Sequence, residues 1–194
     1  MKTIREKKHL RLGVLCAFVL LAALSRMIPH PSNFAPIGAM SLFGAAYFSR
    51  KYLAILVPIL SMWLSDLVIN NLLYGEYFDQ FVWFYDGCVW TYSSFVLINI
   101  VGFVLLKTVR VKSLIFSSLM ASVLFFLISN FGVWFSTNMY APDFSGFLAC
   151  YVAGLPFFKN TLLGDIFYVG LLFGSFEFAK YRFPFLQTKS IRLS

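Results

Sequence analysis

Six apolar runs divide the chain, at residues 12–28, 34–49, 52–74, 88–106, 113–135 and 160–179. Each approaches the about 20 residues that a helix needs to cross a bilayer. A backbone in hydrocarbon must satisfy its own amides and carbonyls, so runs of this kind form helices. Composition offers no soluble alternative. The chain is 60% hydrophobic and only 12% charged, against roughly a quarter charged in soluble domains. A cytosolic enzyme, a disordered regulator and a nucleic-acid binder are excluded, despite a net charge of +8. The expectation is an all-α integral membrane protein, with six transmembrane helices in one membrane domain over residues 1–194.

The second run is entered through Pro31 and Pro36, which predicts a tilted or partly unwound segment. A further apolar piece, residues 147–158, is too short to span and carries Gly154 and Pro156, so an interfacial or re-entrant segment is expected. The N-terminal basic residues and the Ala23-Leu24-Ser25 site resemble a signal peptide. Arg26 and the charge alternation favour an uncleaved first span instead.

Fourteen of the sixteen lysines and arginines fall into four groups. They are Lys2, Arg5, Lys7, Lys8 and Arg11, then Arg50 and Lys51, then Lys107, Arg110 and Lys112, and finally Lys180, Arg182, Lys189 and Arg192. These groups lie before run one, between two and three, between four and five, and after six. Alternation places them all on one side, and basic residues collect in the cytoplasm. Both termini are therefore expected to be cytoplasmic, in a bacterial inner membrane. Asp66, Glu76, Asp79, Asp86, Asp143 and Asp165 fall on or toward the other side, where Trp83, Trp90 and Trp134 suit the aromatic belt.

Polar residues converge on that outer half. Arg26, Asp66 and Asn130 lie about 21–26 Å along their helices from the cytoplasmic side, while the inner halves read as almost purely apolar. Cys88, Tyr92, Asn160 and Asp165 stand near the outer starts of their runs, and the Ile28–Gly38 loop opens onto the same level. An intramembrane ionisable group is costly and faces protein or a water-filled cavity. Two readings stay open: a pocket facing outward, or helix glue in which Arg26 pairs with Asp66 or Asp165. Asp66 reads as the deepest carboxylate, facing either a ligand or Arg26. His30, held between Pro29 and Pro31, is a ligand contact, a pH-sensitive gate or an exposed loop residue. Asp165 reaches Lys159 only by local folding-back and reads as structural. Cys88 and Cys150 form a disulfide, or Cys88 is a soft metal ligand, or both are free thiols. No metalloprotease, CxxC or phosphate-loop motif occurs, and binding or transport follows by elimination.

Pro29-His30-Pro31-Ser32-Asn33-Phe34, Ala35-Pro36-Ile37-Gly38-Ala39 and Leu42-Phe43-Gly44 carry a family resemblance. Trp63-Leu64-Ser65-Asp66, Ser129-Asn130-Phe131-Gly132-Val133-Trp134 and Gly154-Leu155-Pro156-Phe157-Phe158 continue it. The pattern resembles the substrate-binding S components of energy-coupling-factor transporters, closest to the solitary cobalamin-uptake group called BtuM. The resemblance implies six helices, cytoplasmic termini and a pocket at the outer face beneath the first external loop. It implies cobalamin or a related corrinoid as the transported ligand, with Cys88 as cobalt ligand and decyanation as an accompanying reaction. His30, Asn33, Asp66, Tyr92, Asn130 and Lys159 complete the substrate-binding set it suggests. The expected partners are the lipid bilayer and a small-molecule substrate. An energising module is a further candidate, although the AxxxA pair that docks on one does not occur in the first run. Rival readings are a carrier of another small vitamin or metal complex, a structural or accessory membrane protein without a ligand, and a redox enzyme using Cys88 and Cys150.

Overall fold

A computed structural model describes residues 4–187, whose regular elements are all helices, with no strand among them. Lys2, Lys189 and Arg192 of the basic groups lie outside the described residues. The elements are α1 (Ile4–Leu24), α2 (Ile37–Tyr47), α3 (Lys51–Val68), α4 (Cys88–Leu105), α5 (Val111–Ser136) and α6 (Phe144–Arg182). A π-helical turn, Ile69–Leu73, prolongs α3. Five of these helices, all but α2, are long and apolar enough to cross a membrane.

One expectation, a partly unwound second run, holds, and another needs correction. The second apolar run gives a helix of only 11 residues, about 16 Å long and half a hydrocarbon core. Pro36 sets its start, because proline lacks the amide that would prolong it backward. The 147–158 segment is not re-entrant. It is continuous with the sixth run in a single helix of 39 residues, started by Asp143, whose carboxylate accepts from Gly146 N at 2.8 Å. That bond, together with one from Ser145, holds the exposed Asp143 carboxyl below its usual range. Pro156 removes one helical bond, yet packing against α5 holds the helix together across it. The Tyr151 hydroxyl donates to the Leu127 carbonyl at 2.7 Å, and Gly154 leaves room for the Asn130 side chain.

The short helix is the hub. Nine residues of α2 are buried, and it packs against all five long helices. Phe43 meets Phe18, Phe173 and Phe176 with ring centroids 5.9, 5.5 and 5.4 Å apart. Close approach requires missing side chains: a Cβ on Gly44 would stand 2.6 Å from the Ala54 carbonyl oxygen of α3. That carbonyl has no i+4 donor, because residue 58 is proline. A Cβ on Gly102 of α4 would meet the Ala45 Cβ in the same way.

Where α2 ends, the basic groups gather. Arg11 Nη2 donates to the Tyr47 carbonyl at 3.2 Å, and the Tyr47 hydroxyl donates to Glu177 Oε1 at 2.5 Å. Lys180 pairs with Glu177 at 2.8 Å. At the other end, the long 74–87 connection folds back on α3. Asn71 donates to the Val82 carbonyl at 2.9 Å and accepts from Val82 N at 2.7 Å.

Gly44→Ala should destabilise by about 1–3 kcal/mol through overpacking, read as a lower melting temperature in detergent. Gly170→Ala, where a Cβ meets nothing within 4 Å, should leave the melting temperature near that of the parent.

Candidate functional site

The end opposite the basic groups holds a connected polar cluster drawn from α1, α3 and α4. Arg26 stands in a single 3-10 turn, Ser25–Met27, that closes α1. Its Nη1 donates to Asp66 Oδ1 at 2.6 Å, Ser65 Oγ at 2.7 Å and Met62 Sδ at 2.8 Å. The second carboxylate oxygen, Asp66 Oδ2, accepts from the Tyr92 hydroxyl at 2.7 Å. Met62 and Asp66 are four apart and so share one face of α3. The ion pair is largely withdrawn from solvent, with side-chain exposures of 15% for Arg26 and 5% for Asp66.

Tyr85 and Cys88 adjoin this cluster. Gly87 turns the chain at φ 85°, which favours glycine, and α4 starts at the next residue. Cys88 is buried, and its amide donates to the Tyr85 carbonyl at 3.1 Å. Tyr85 hydrogen-bonds Thr91 and feels the charges of Asp66 and Arg26. Burial first, then the Asp66 carboxylate, pushes its phenol up to about 12, so it stays a neutral hydroxyl at ordinary pH.

Of the expected site residues, Asp66, Cys88 and Tyr92 are brought together, and Arg26, Ser65, Met62 and Tyr85 join them. His30, Asn33, Asn130 and Lys159 are placed elsewhere. His30 is exposed, its Nδ1 2.9 Å from the Pro31 carbonyl oxygen. Asn33 is exposed at φ 63° in the turn of the same loop. Lys159 is exposed on α6, and its neighbour Asn160 anchors the loop by donating to the Ser32 carbonyl at 2.9 Å. Asn130 donates to Phe126 O at 2.8 Å within α5, and its carbonyl accepts from Cys150 Sγ at 3.4 Å. Cys16, Cys88 and Cys150 are free thiols, so the Cys88–Cys150 disulfide does not form. No group of three or more His, Cys, Asp or Glu suited to a metal ion occurs among the described residues. Cys88 therefore offers a single soft donor.

Asp165 departs furthest from expectation. It is more deeply buried than Asp66, and its partner is not Lys159. The backbone amides of Gly38 and Ala39 hydrogen-bond to its carboxylate, and Ser122 Oγ donates to Oδ2 at 2.6 Å. Asp165 thus caps the N-terminus of α2 from another helix. Ser122 lies about 16 Å along α5, near mid-depth, whereas Asp66 lies about 22 Å along α3. A Cβ on Gly38 would fall on the Asp165 carboxylate, so the cap requires glycine there. No type of side chain at 165 reveals a partner that is backbone. The nearest signal was Gly38 itself, just inside a proline-started helix.

Two open depressions mark the same end of the molecule. One of about 530 Å³ is lined by residues 78–84, and another of about 370 Å³ by Trp134, Pro142, Asp143, Phe144 and Phe147. Neither is lined by the Arg26–Asp66–Tyr92 cluster.

The family described as "Family of unknown function (DUF6580)" matches residues 6–186, and the chain belongs to it. No curated protein matches the chain, and no solved structure does.

Arg26→Met should cost about 3–5 kcal/mol by leaving Asp66 buried without its cation, and Tyr92→Phe about 1 kcal/mol. Thermal or denaturant unfolding in detergent reads both. Arg26→Met combined with Asp66→Leu should recover part of the loss.

Proposed function

We propose that this member of a family of unknown function is a substrate-binding membrane transport protein, which takes up a small molecule from the side opposite its basic groups. The observation that carries the reading is the one-sided cluster of Arg26, Asp66 and Tyr92 with the free Cys88 thiol beside it. Ionisable groups inside a membrane protein mark ligand or ion pathways by default. The ligand is a corrinoid, with the Cys88 thiolate as the axial donor to cobalt, a soft ligand suited to that metal. His30, Asn33 and Lys159 act at the entrance rather than in the cluster. Asn130 braces α5 against α6.

The proposed topology has six crossings with both termini in the cytoplasm of a bacterial inner membrane. Five are made by the long helices. The sixth is made by residues 28–36 as loop and α2 as half-helix, in line with the positive-inside rule. No nucleotide-binding motif occurs in the chain, so an ATP-driven step would use a separate energising module.

A second reading is favoured by one observation: both Asp66 oxygens are already engaged by partners inside the protein. In that reading the cluster only clamps α1, α3 and α4, and the chain is an accessory membrane protein.

Titration of detergent-purified protein with cobalamin and cobinamide separates the two. Uptake of a corrinoid predicts a higher melting temperature and a changed visible spectrum, the spectral change being lost in Cys88→Ala. No response to either corrinoid, with the parent folded, rejects the corrinoid. Orientation is checked separately by impermeant maleimide on intact cells: Gly75→Cys should label from outside, and Thr108→Cys should not.

A further inference from the structure

The inner half of the bundle, apolar by composition, contains polar atoms that no protein contact uses. Ser41 Oγ, Ser117 Oγ, Ser118 Oγ and Asn99 Oδ1 are buried without a hydrogen-bond partner, on residues no more than 2% exposed. Buried polar groups are almost always paired, and where protein does not pair them, water or an ion does.

Helix register ties two of the four to Asp165. Gly38 donates its amide to the carboxylate, and Ser41 follows it by three residues on α2. Ser122 donates its hydroxyl, and Ser118 precedes it by four residues on α5. Residues so spaced share a helix face, about one turn or 5 Å apart. The pairs Ser122–Asp165 and Tyr151–Leu127 run α5 antiparallel to α6, while α2 descends with α6 to the Tyr47–Glu177 contact. Both steps therefore lead the same way, toward the basic end. Ser41 and Ser118 stand on the faces that hold Asp165, one turn beneath it.

The carboxylate itself is only partly matched. Its three donors, Gly38 N, Ala39 N and Ser122 Oγ, are neutral, and Arg26 is committed to Asp66. A carboxylate offers about four lone-pair positions, so one remains after three donors. We propose that Asp165, Ser122, Ser41 and Ser118 form a binding site for a monovalent alkali cation, sodium, between α2, α5 and α6. An all-oxygen set suits a hard cation, and a single carboxylate balances a single positive charge. Nitrogen and sulfur donors, which transition metals favour, are not part of the set. The proposal deepens the transport reading by naming a coupling ion in place of a separate energising module, and it rests on that reading only for the coupling role.

The test measures the melting temperature of full-length, detergent-purified protein in sodium, potassium and choline chloride at matched ionic strength, with no corrinoid present. Sodium should raise it saturably above the other two. Asp165→Asn should remove the response, but it also weakens the cap of α2 and can fail to fold. The deciding variant is therefore Ser41→Ala with Ser118→Ala, which keeps the cap. It should melt near the parent in choline and need roughly tenfold or more sodium for the same stabilisation. Equal melting in the three salts, or a double variant that responds to sodium like the parent, overturns the site. Sodium binding without a corrinoid response removes only the corrinoid, and a corrinoid response without sodium binding removes only this site.

Discussion

A helix that begins inside a bilayer-embedded bundle presents amide hydrogens that water does not reach, and Asp165 answers them for α2. The first amides of any helix lack intrahelical partners, and its N-terminus carries partial positive charge. Here both needs are met by one carboxylate, supplied by α6 and steadied by Ser122 of α5. The arrangement lets α2 begin near mid-depth and still serve as the hub of the bundle. It also accounts for Gly38, since any side chain there would occupy the place of the cap.

With α2 fixed, the remaining contacts fall into two zones. On the basic side, aromatic packing around Phe43 merges into the polar group of Arg11, Tyr47, Glu177 and Lys180. On the opposite side, Arg26 joins α1 to α3, and Tyr92 brings in α4. Burying an ion pair is only worthwhile when hydrogen bonds accompany it. Ser65, Met62 and Tyr92 supply those bonds here. The Trp63 indole donates to the Trp83 carbonyl at 3.1 Å, so the 74–87 connection, with Tyr85 at its end, is held over this zone.

Much of this architecture was legible in the chain. Apolar runs of near-spanning length mark the long helices, and the similar depth of Arg26 and Asp66 admits their pairing without choosing it over Arg26 with Asp165. The short reach of α2 was less visible, because hydropathy does not distinguish a helix that crosses from one that begins on a carboxylate. Pro156 misled for a related reason. Its missing bond frees the carbonyl of Val152, which lies on an exposed face, while the contacts that keep α6 whole come from α5. The inner serines were invisible for the opposite reason: they are small, scattered among phenylalanines and leucines, and gain meaning only when two helix faces meet.

The length of α6 bears on the membrane itself. Thirty-nine residues rise about 58 Å, nearly twice a typical hydrocarbon thickness of about 30 Å. Exposed apolar residues line its outward side, from Phe144, Leu148, Val152 and Leu155 to Leu163, Phe167, Leu171 and Phe178, and the exposed Lys159 interrupts them midway. Lys159 divides the helix: with Asp165 near mid-depth, the turns before about residue 155 stand more than about 15 Å further out, so the first part of α6 projects past the hydrocarbon rather than crossing it.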